Sequence, residues 1–174
     1  MGASKKAVIG VTRREFLAMT AMAAAGVAVG CATNPVTGRS QLMLMDEQEE
    51  IAIDRQNSPH QLSADYGVTQ DRALGSYIQE TGKRLAANSH RGQMPYQFHC
   101  VNANYVNAYA FPGGTIACTR GILLDLDNEA ALAALLGHEL GHVNARHTAA
   151  IMSRARLKWG QFSLMSGQFP PHRR

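Results

Sequence analysis

Asn128-Glu129-Ala130-Ala131-Leu132-Ala133-Ala134-Leu135-Leu136-Gly137-His138-Glu139-Leu140-Gly141-His142 is the stretch that decides the fold of this 174-residue chain. Asp127 or Asn128 offers a side-chain oxygen to cap a helix, and Glu129 puts negative charge in the first turn, where the helix dipole favours it. Residues 130–136 are strong helix formers, so the helix is expected to run past His142 to about residue 154. On such a helix His138 and His142, four apart, lie about 40° apart around the axis and one turn apart along it. Both imidazoles can then reach one ion at about 2.0–2.1 Å. Glu139 projects beside that ion, where a carboxylate can take a proton from a water. With seven His and seven Glu in the chain, shuffling would produce His-Glu-x-x-His in roughly one sequence in a hundred. Gly141 adds weight, since Gly inside a helix costs about 1 kcal/mol relative to Ala and needs a packing or functional reason. The competing reading is a histidine pair on an ordinary helix.

Upstream, the first thirty residues read as a targeting segment outside the fold. Lys5, Lys6, Arg13 and Arg14 precede a weakly apolar, Ala-rich run of residues 16–30, shorter than the roughly 20 residues a membrane span needs. Thr12-Arg13-Arg14-Glu15-Phe16-Leu17 resembles a twin-arginine export motif. Ala28-Val29-Gly30-Cys31 resembles a lipoprotein cleavage box with Cys31 as the lipidated residue, although Ala28 stands where Leu is commonest. An uncleaved N-terminal anchor helix is the other reading. Ala32 after the cysteine points to outer-membrane rather than inner-membrane retention. An oxidising periplasm would let Cys100 and Cys118 pair; two unpaired buried thiols are equally compatible with the pattern.

The net charge of +4 is carried mostly by this leader. No acid follows Glu139, whereas Arg146, Arg154, Arg156, Lys158, Arg173 and Arg174 do. No aromatic-basic interleaving accompanies these bases, which argues against nucleic-acid binding.

Between leader and histidines the pattern changes period. Asp46-Glu47-Gln48-Glu49 reads as a capping box opening a short helix to about residue 56, broken by Ser58-Pro59-His60. Leu74, Tyr77, Ile78, Thr81 and Leu85 form one stripe of a second helix over about 69–87. Tyr96, Phe98 and Cys100 then alternate with polar neighbours, as in a half-buried strand. Residues 107–111 and 115–119 flank Pro112-Gly113-Gly114, a hairpin-type turn. The middle third thus reads as a small antiparallel sheet.

Asn34-Pro35-Val36-Thr37-Gly38-Arg39, Asn107-Ala108-Tyr109-Ala110-Phe111-Pro112-Gly113-Gly114, Thr119-Arg120-Gly121 and Gly137 through His147 stand in the order of one family. The chain, over about 34–156, resembles the zinc metallopeptidases that include the HtpX-like proteases, the CAAX prenyl proteases and the periplasmic outer-membrane-assembly lipoprotein proteases. The resemblance implies an α+β, zincin-like fold and a metalloendopeptidase. It implies one Zn2+ held by His138 and His142, with Glu139 as general base activating a zinc-held water. It implies protein or peptide substrates in the cell envelope, on its periplasmic side, and a part in protein quality control there. Residues 107–119 resemble the family's edge strand, making Asn107, Gly113 and Gly114 candidates for contact with an extended substrate.

The third ligand in this family is a glutamate on a later helix, and no acid follows Glu139 here. His147, five positions after His142, is expected about 140° around the helix, facing elsewhere. Glu129 lies on the opposite face, and nothing in the pattern supports His99 or His172. The domain reading is therefore a signal over 1–30, a tether over 31–45, a partial metallopeptidase domain over 46–158 that is incomplete at its C-terminus, and an aberrant basic tail over 159–174. The expectation for these 174 residues is weak zinc binding and little proteolysis. The competing class is a non-catalytic, chaperone-like envelope lipoprotein that uses cleft and edge strand without turnover.

Overall fold

A computed structural model describes residues 12–14 and 30–166, with backbone alone for 160–166. The remainder of the stretch read as an export signal, and His172, lie outside the described residues. Two units divide the chain, 1–31 and 32–174, and everything below concerns the second. Among the described residues no helix is long and apolar enough to cross a membrane.

The elements run β1 (Cys31–Thr33), β2 (Ser40–Leu42), α1 (Glu47–Ala64), α2 (Arg72–Ala86), β3 (Gln97–Val101), β4 (Ala108–Ala110), β5 (Thr115–Thr119), α3 (Arg120–Leu123), α4 (Glu129–Asn144) and α5 (His147–Ser166). The class is α+β, as expected. β1 and β2 form a two-stranded ribbon, and the other strands a sheet in the order β3-β5-β4. That sheet is mixed, which corrects the expected antiparallel one. β4 pairs antiparallel with β5 through the Pro112-Gly113-Gly114 turn, but β3 runs parallel to β5 with Cys100 opposite Cys118. Residues 102–107 carry the chain to the far edge, so the hairpin folds β5 back into the middle. Gly113 is required there: a Cβ on it would stand 2.5 Å from Cβ of Asp54 and 2.8 Å from Cα of Ile51.

The main core lies where α2 and α4 cover one face of the sheet. Ile78 and Ala86 from α2 meet Tyr96, Phe98 and Cys100, Ile116 and Cys118, and Leu132, Leu136, Leu140 and Val143 from α4. The alternation read for Tyr96, Phe98 and Cys100 is thus a true face. On α2 the stripe holds for Ile78 and Thr81, while Tyr77 turns outward.

α1 covers the other face and departs most from expectation. It does not stop near residue 56 but continues through Pro59 to Ala64. A proline inside a helix loses a hydrogen bond and costs about 3 kcal/mol or more. Contacts on both sides of it offset that loss. Glu50, Asp54 and Ser58 are buried at four-residue spacing, Asp54 accepts from the Thr115 N–H at 2.8 Å, and Leu62 packs against Val101, Ala103 and Ala117. At the C-cap, buried Asp65 accepts from the hydroxyls of Tyr105 (2.6 Å) and Tyr109. Burial would raise its pKa, but donors from Tyr105, Tyr109 and Gln61 outweigh that and hold the carboxyl below its ordinary value.

The helix of the opening stretch starts as expected, with Asn128 accepting from the Ala131 N–H. It stops at Asn144, not near residue 154. Arg146 adopts a left-handed backbone (φ 56°), and a new helix, α5, begins at His147 and runs to Ser166, through the first half of the stretch read as an aberrant tail. Met43 and Met45 pack on Ala149 and Ala150 of α5, and Ser153 Oγ accepts from the Leu44 N–H at 2.9 Å. Cys100 and Cys118 are fully buried and unpaired. The neighbouring Cys100 thiol and burial push the Cys118 thiol far up, so it stays protonated.

Candidate active site

Helix geometry alone turns His138 and His142 to one side of α4, and their rings meet edge to face with centroids 4.7 Å apart. Their Nε2 atoms stand 3.1 Å apart. Two nitrogens each 2.0–2.1 Å from one tetrahedral ion would stand about 3.3–3.4 Å apart. The pair therefore fits a shared ion to within a few tenths of an ångström. Glu139 is buried and lines the same cleft as His142. Among the described residues no hydrogen bond or ion pair engages its carboxylate, which leaves it free to act on a small molecule in the cleft. A Cβ on Gly141 would meet nothing within 4 Å, so the packing reason expected for this glycine is not found.

His147 does not face elsewhere. The break at Ala145 and Arg146 interrupts the helical count, and Nδ1 of His147 comes to 2.7 Å from Nδ1 of His142. Five continuous helical positions would have parted the two rings. The left-handed residue between them is what brings them together.

The break is held by side chains from distant segments, of which Asn34 and Gln41 also line the cleft. Glu50, with 0% exposure, accepts from Arg91 Nη2 at 2.6 Å and from Arg146 Nε at 2.7 Å. Arg146 also donates to the Met45 carbonyl, and Arg91 to the Val143 carbonyl. Asn34 and Gln41 donate to the Ala145 carbonyl, and Asn144 accepts from the Arg91 N–H. The orphan carbonyls that end a helix are thus satisfied by three distant segments. Asn34 belongs to the stretch read as a tether and as part of the family pattern, and it is a structural contact.

The cleft measures about 520 Å³ and is open to solvent; Ala108, Tyr109 and Ala110 of β4 line it, as do Ile151 and Arg154 of α5. β4 is the edge of its sheet. Asn107 and Phe111 bond across to Thr119 and Thr115. By the alternation of antiparallel pairs, Ala108 and Ala110 between them direct their N–H and C=O groups away from β5, toward the open edge. Of the predicted contact candidates, Asn107 has both backbone groups turned inward to Thr119. Gly113 and Gly114 sit in the turn, Gly113 against α1 and Gly114 against Tyr96. The residues that offer an edge to the cleft are their neighbours Ala108 and Ala110. Strand parity fixes this, and parity became readable only with the register.

Among the described residues no group of three or more His, Cys, Asp or Glu side chains is arranged to hold a metal. Glu129 is paired with Arg84 at 3.1 Å. His99 lies on β3, the sheet edge opposite β4, with Gln97 as its ring partner; burial pushes its pKa down.

The model of peptidase family M48 matches residues 73–170, more than half of the chain. The chain belongs to peptidase family M48. The match covers both histidines and Glu139 and runs on through 159–170, which the sequence pattern alone had set apart. A beta-barrel assembly-enhancing protease of Yersinia pestis is 37% identical over 103 residues, 57% of this chain and 21% of that protein. The mitochondrial metalloendopeptidase OMA1 of Schizosaccharomyces pombe is 30% identical over 123 residues, covering 66% and 35%. The metalloprotease YcaL of Escherichia coli K12 is 27% identical over 108 residues, covering 62% and 41%. The chain thus spans about a fifth to two-fifths of the length of these relatives. The resemblance drawn from the motifs, to a metallopeptidase family with an envelope-protease branch, is borne out.

Proposed function

We propose that this chain carries the two-histidine, one-glutamate part of a zinc metalloendopeptidase site acting on cell-envelope proteins. The observation that carries the reading is the 3.1 Å approach of the two Nε2 atoms, a spacing suited to one tetrahedral ion. His138 and His142 would hold the zinc. When bound, zinc would polarise a peptide carbonyl and lower the pKa of a water from 15.7 to about 7. Glu139, unpaired and facing the cleft, would accept that water's proton at its carboxylate and return it to the leaving amine. Ala108 and Ala110 would bind an extended peptide as an added strand. The zincin-like fold belongs to the same proposal, since a helix bearing both ligands lies beside an edge strand.

The leader reading supports a periplasmic, lipid-anchored protein at the outer membrane, and the likeness to beta-barrel assembly-enhancing proteases supports envelope quality control as its setting. Loss of membrane fractionation in Cys31→Ser checks the anchor; unchanged fractionation would sink it. For the 174 residues taken alone, two ligands and a base predict weak zinc binding and slight turnover. Competition against a chromophoric chelator should find one zinc per chain, lost in His138→Ala and in His142→Ala. Binding that survives both substitutions overturns the site. Brisk casein cleavage abolished by Glu139→Gln would overturn the expectation of slight turnover and leave the site standing.

A further inference from the structure

We propose that His147 is a positioning residue: its Nδ1 accepts the Nδ1–H of His142 and so reserves Nε2 of His142 for the metal. This rests on the zinc-site reading above and adds to it a residue that acts on the ion through His142.

A neutral imidazole has one donor and one acceptor nitrogen. The two nitrogens of His142 have different neighbours, Nε2 of His138 at 3.1 Å and Nδ1 of His147 at 2.7 Å. An ion shared by both Nε2 atoms needs a lone pair on each. The ring proton of His142 must then sit on Nδ1, and His147 is the hydrogen-bond partner placed there. Its own Nδ1 must in turn be an acceptor, with its proton on Nε2. Loading the site thus selects one tautomer in each of two rings. Ligating histidines almost always donate their other ring N–H to an outer partner, and loss of such a partner typically weakens metal binding 10–100-fold.

His147 reaches this position only because Arg146 is left-handed. Arg146 is held there by Glu50 and the Met45 carbonyl. His147 itself is exposed at the first turn of α5, so its replacement leaves the core untouched. The ring contact joins the ligand to the turn that the buried Glu50 cluster holds.

Zinc affinity at pH 8, above the ordinary imidazole range, is the quantity to measure in the chain and in two variants. His147→Leu should bind zinc at least about tenfold more weakly. His147→Asn places Oδ1 where Nδ1 was and should recover most of that loss. In the zinc-saturated, 15N-histidine-labelled chain, Nδ1 of His142 should carry its proton and show a coupling across the hydrogen bond to Nδ1 of His147. Equal affinity in wild type and His147→Leu overturns the proposal. Equal weakening in Leu and Asn variants assigns the effect to packing and also overturns it. Zinc binding indifferent to His138 and His142 would instead sink the site reading, so the two failures are distinguishable.

Discussion

The last turn of α4 and the cleft one turn before it are built on opposite terms. At the last turn every charged or polar group is engaged. Glu50 binds two arginines, Arg91 reaches Val143, and Asn34 and Gln41 reach Ala145. In the cleft Glu139 has no partner among the described residues, and His138 stands exposed with only the neighbouring ring for company. The difference teaches where rigidity is placed. Side chains held at a fixed geometry yet left unsatisfied need a surround that over-determines their position. Here that surround is the network around Glu50 and the Ala145 carbonyl, and Glu139 and His138 stand outside it.

The heaviest test strikes the satisfied side. Glu50→Ala would take from Arg91 and Arg146, whose side chains are 7% and 14% exposed, their shared buried carboxylate, leaving Arg91 only the half-exposed Glu47 and Arg146 no anion among the described residues. Removing one partner of a buried ion pair costs about 3–5 kcal/mol. Urea unfolding should register a loss of that size, with Glu50→Gln falling between the variant and wild type. A loss under about 1 kcal/mol would mean that the cluster does not hold the turn.

The same contrast explains what could be read in advance. α2 was legible because its buried face is largely apolar at helical spacing, with Ile78 in the core and Leu74 and Leu85 packed against it. The buried face of α1 is Glu50, Asp54 and Ser58. Apolar periodicity cannot report a polar face, so Pro59 reads as the terminator of a helix that continues past it. Residues distant in sequence satisfy these groups, Thr115 for Asp54 and Arg91 and Arg146 for Glu50. The site divides in the same way. His138, Glu139 and His142 lie within one turn and a half, where helix geometry is local and fixed. His147 depended on a left-handed residue imposed from Glu50, and the edge positions Ala108 and Ala110 on a register that no spacing rule supplies. The sequence signal that could have marked the break is Arg146 itself: a cation at a helix C-terminus, followed by a helix with no acid to balance its bases.

A smaller effect should appear where α1 meets the substrate edge. Asp65 anchors Tyr109, a β4 residue of the cleft, and Tyr105. Its folded pKa lies below the ordinary 3.8. The stability this linkage contributes is therefore complete above about pH 4 and is lost as pH falls through the lower, folded value. Tyr109→Phe removes a hydrogen bond to a charged group, a loss of about 1.5 kcal/mol at pH 7. The gap between variant and wild type should narrow on acidification, and the acid-unfolding midpoint of the variant should move to higher pH. A gap that stays constant from pH 7 to pH 3 would show that the tyrosine acts by packing alone.

The smallest expected change is the most informative about the cleft. Glu139 is buried, at 8% exposure, yet it has no partner to lose. Glu139→Gln keeps its shape and removes no hydrogen bond or ion pair among the described residues. Stability should stay within about 0.5 kcal/mol of wild type, as for substitutions away from any structural network, or rise slightly. Two glutamates, 50 and 139, both buried and both contributed by helices, should thus respond to substitution by several kcal/mol and by almost nothing. A loss of 2 kcal/mol or more in Glu139→Gln would place this carboxylate among the structural groups and erase the distinction. Residues selected for reaction are commonly not those that stabilise the fold, and a carboxylate that faces an open cleft without a partner is poorly suited to any structural task.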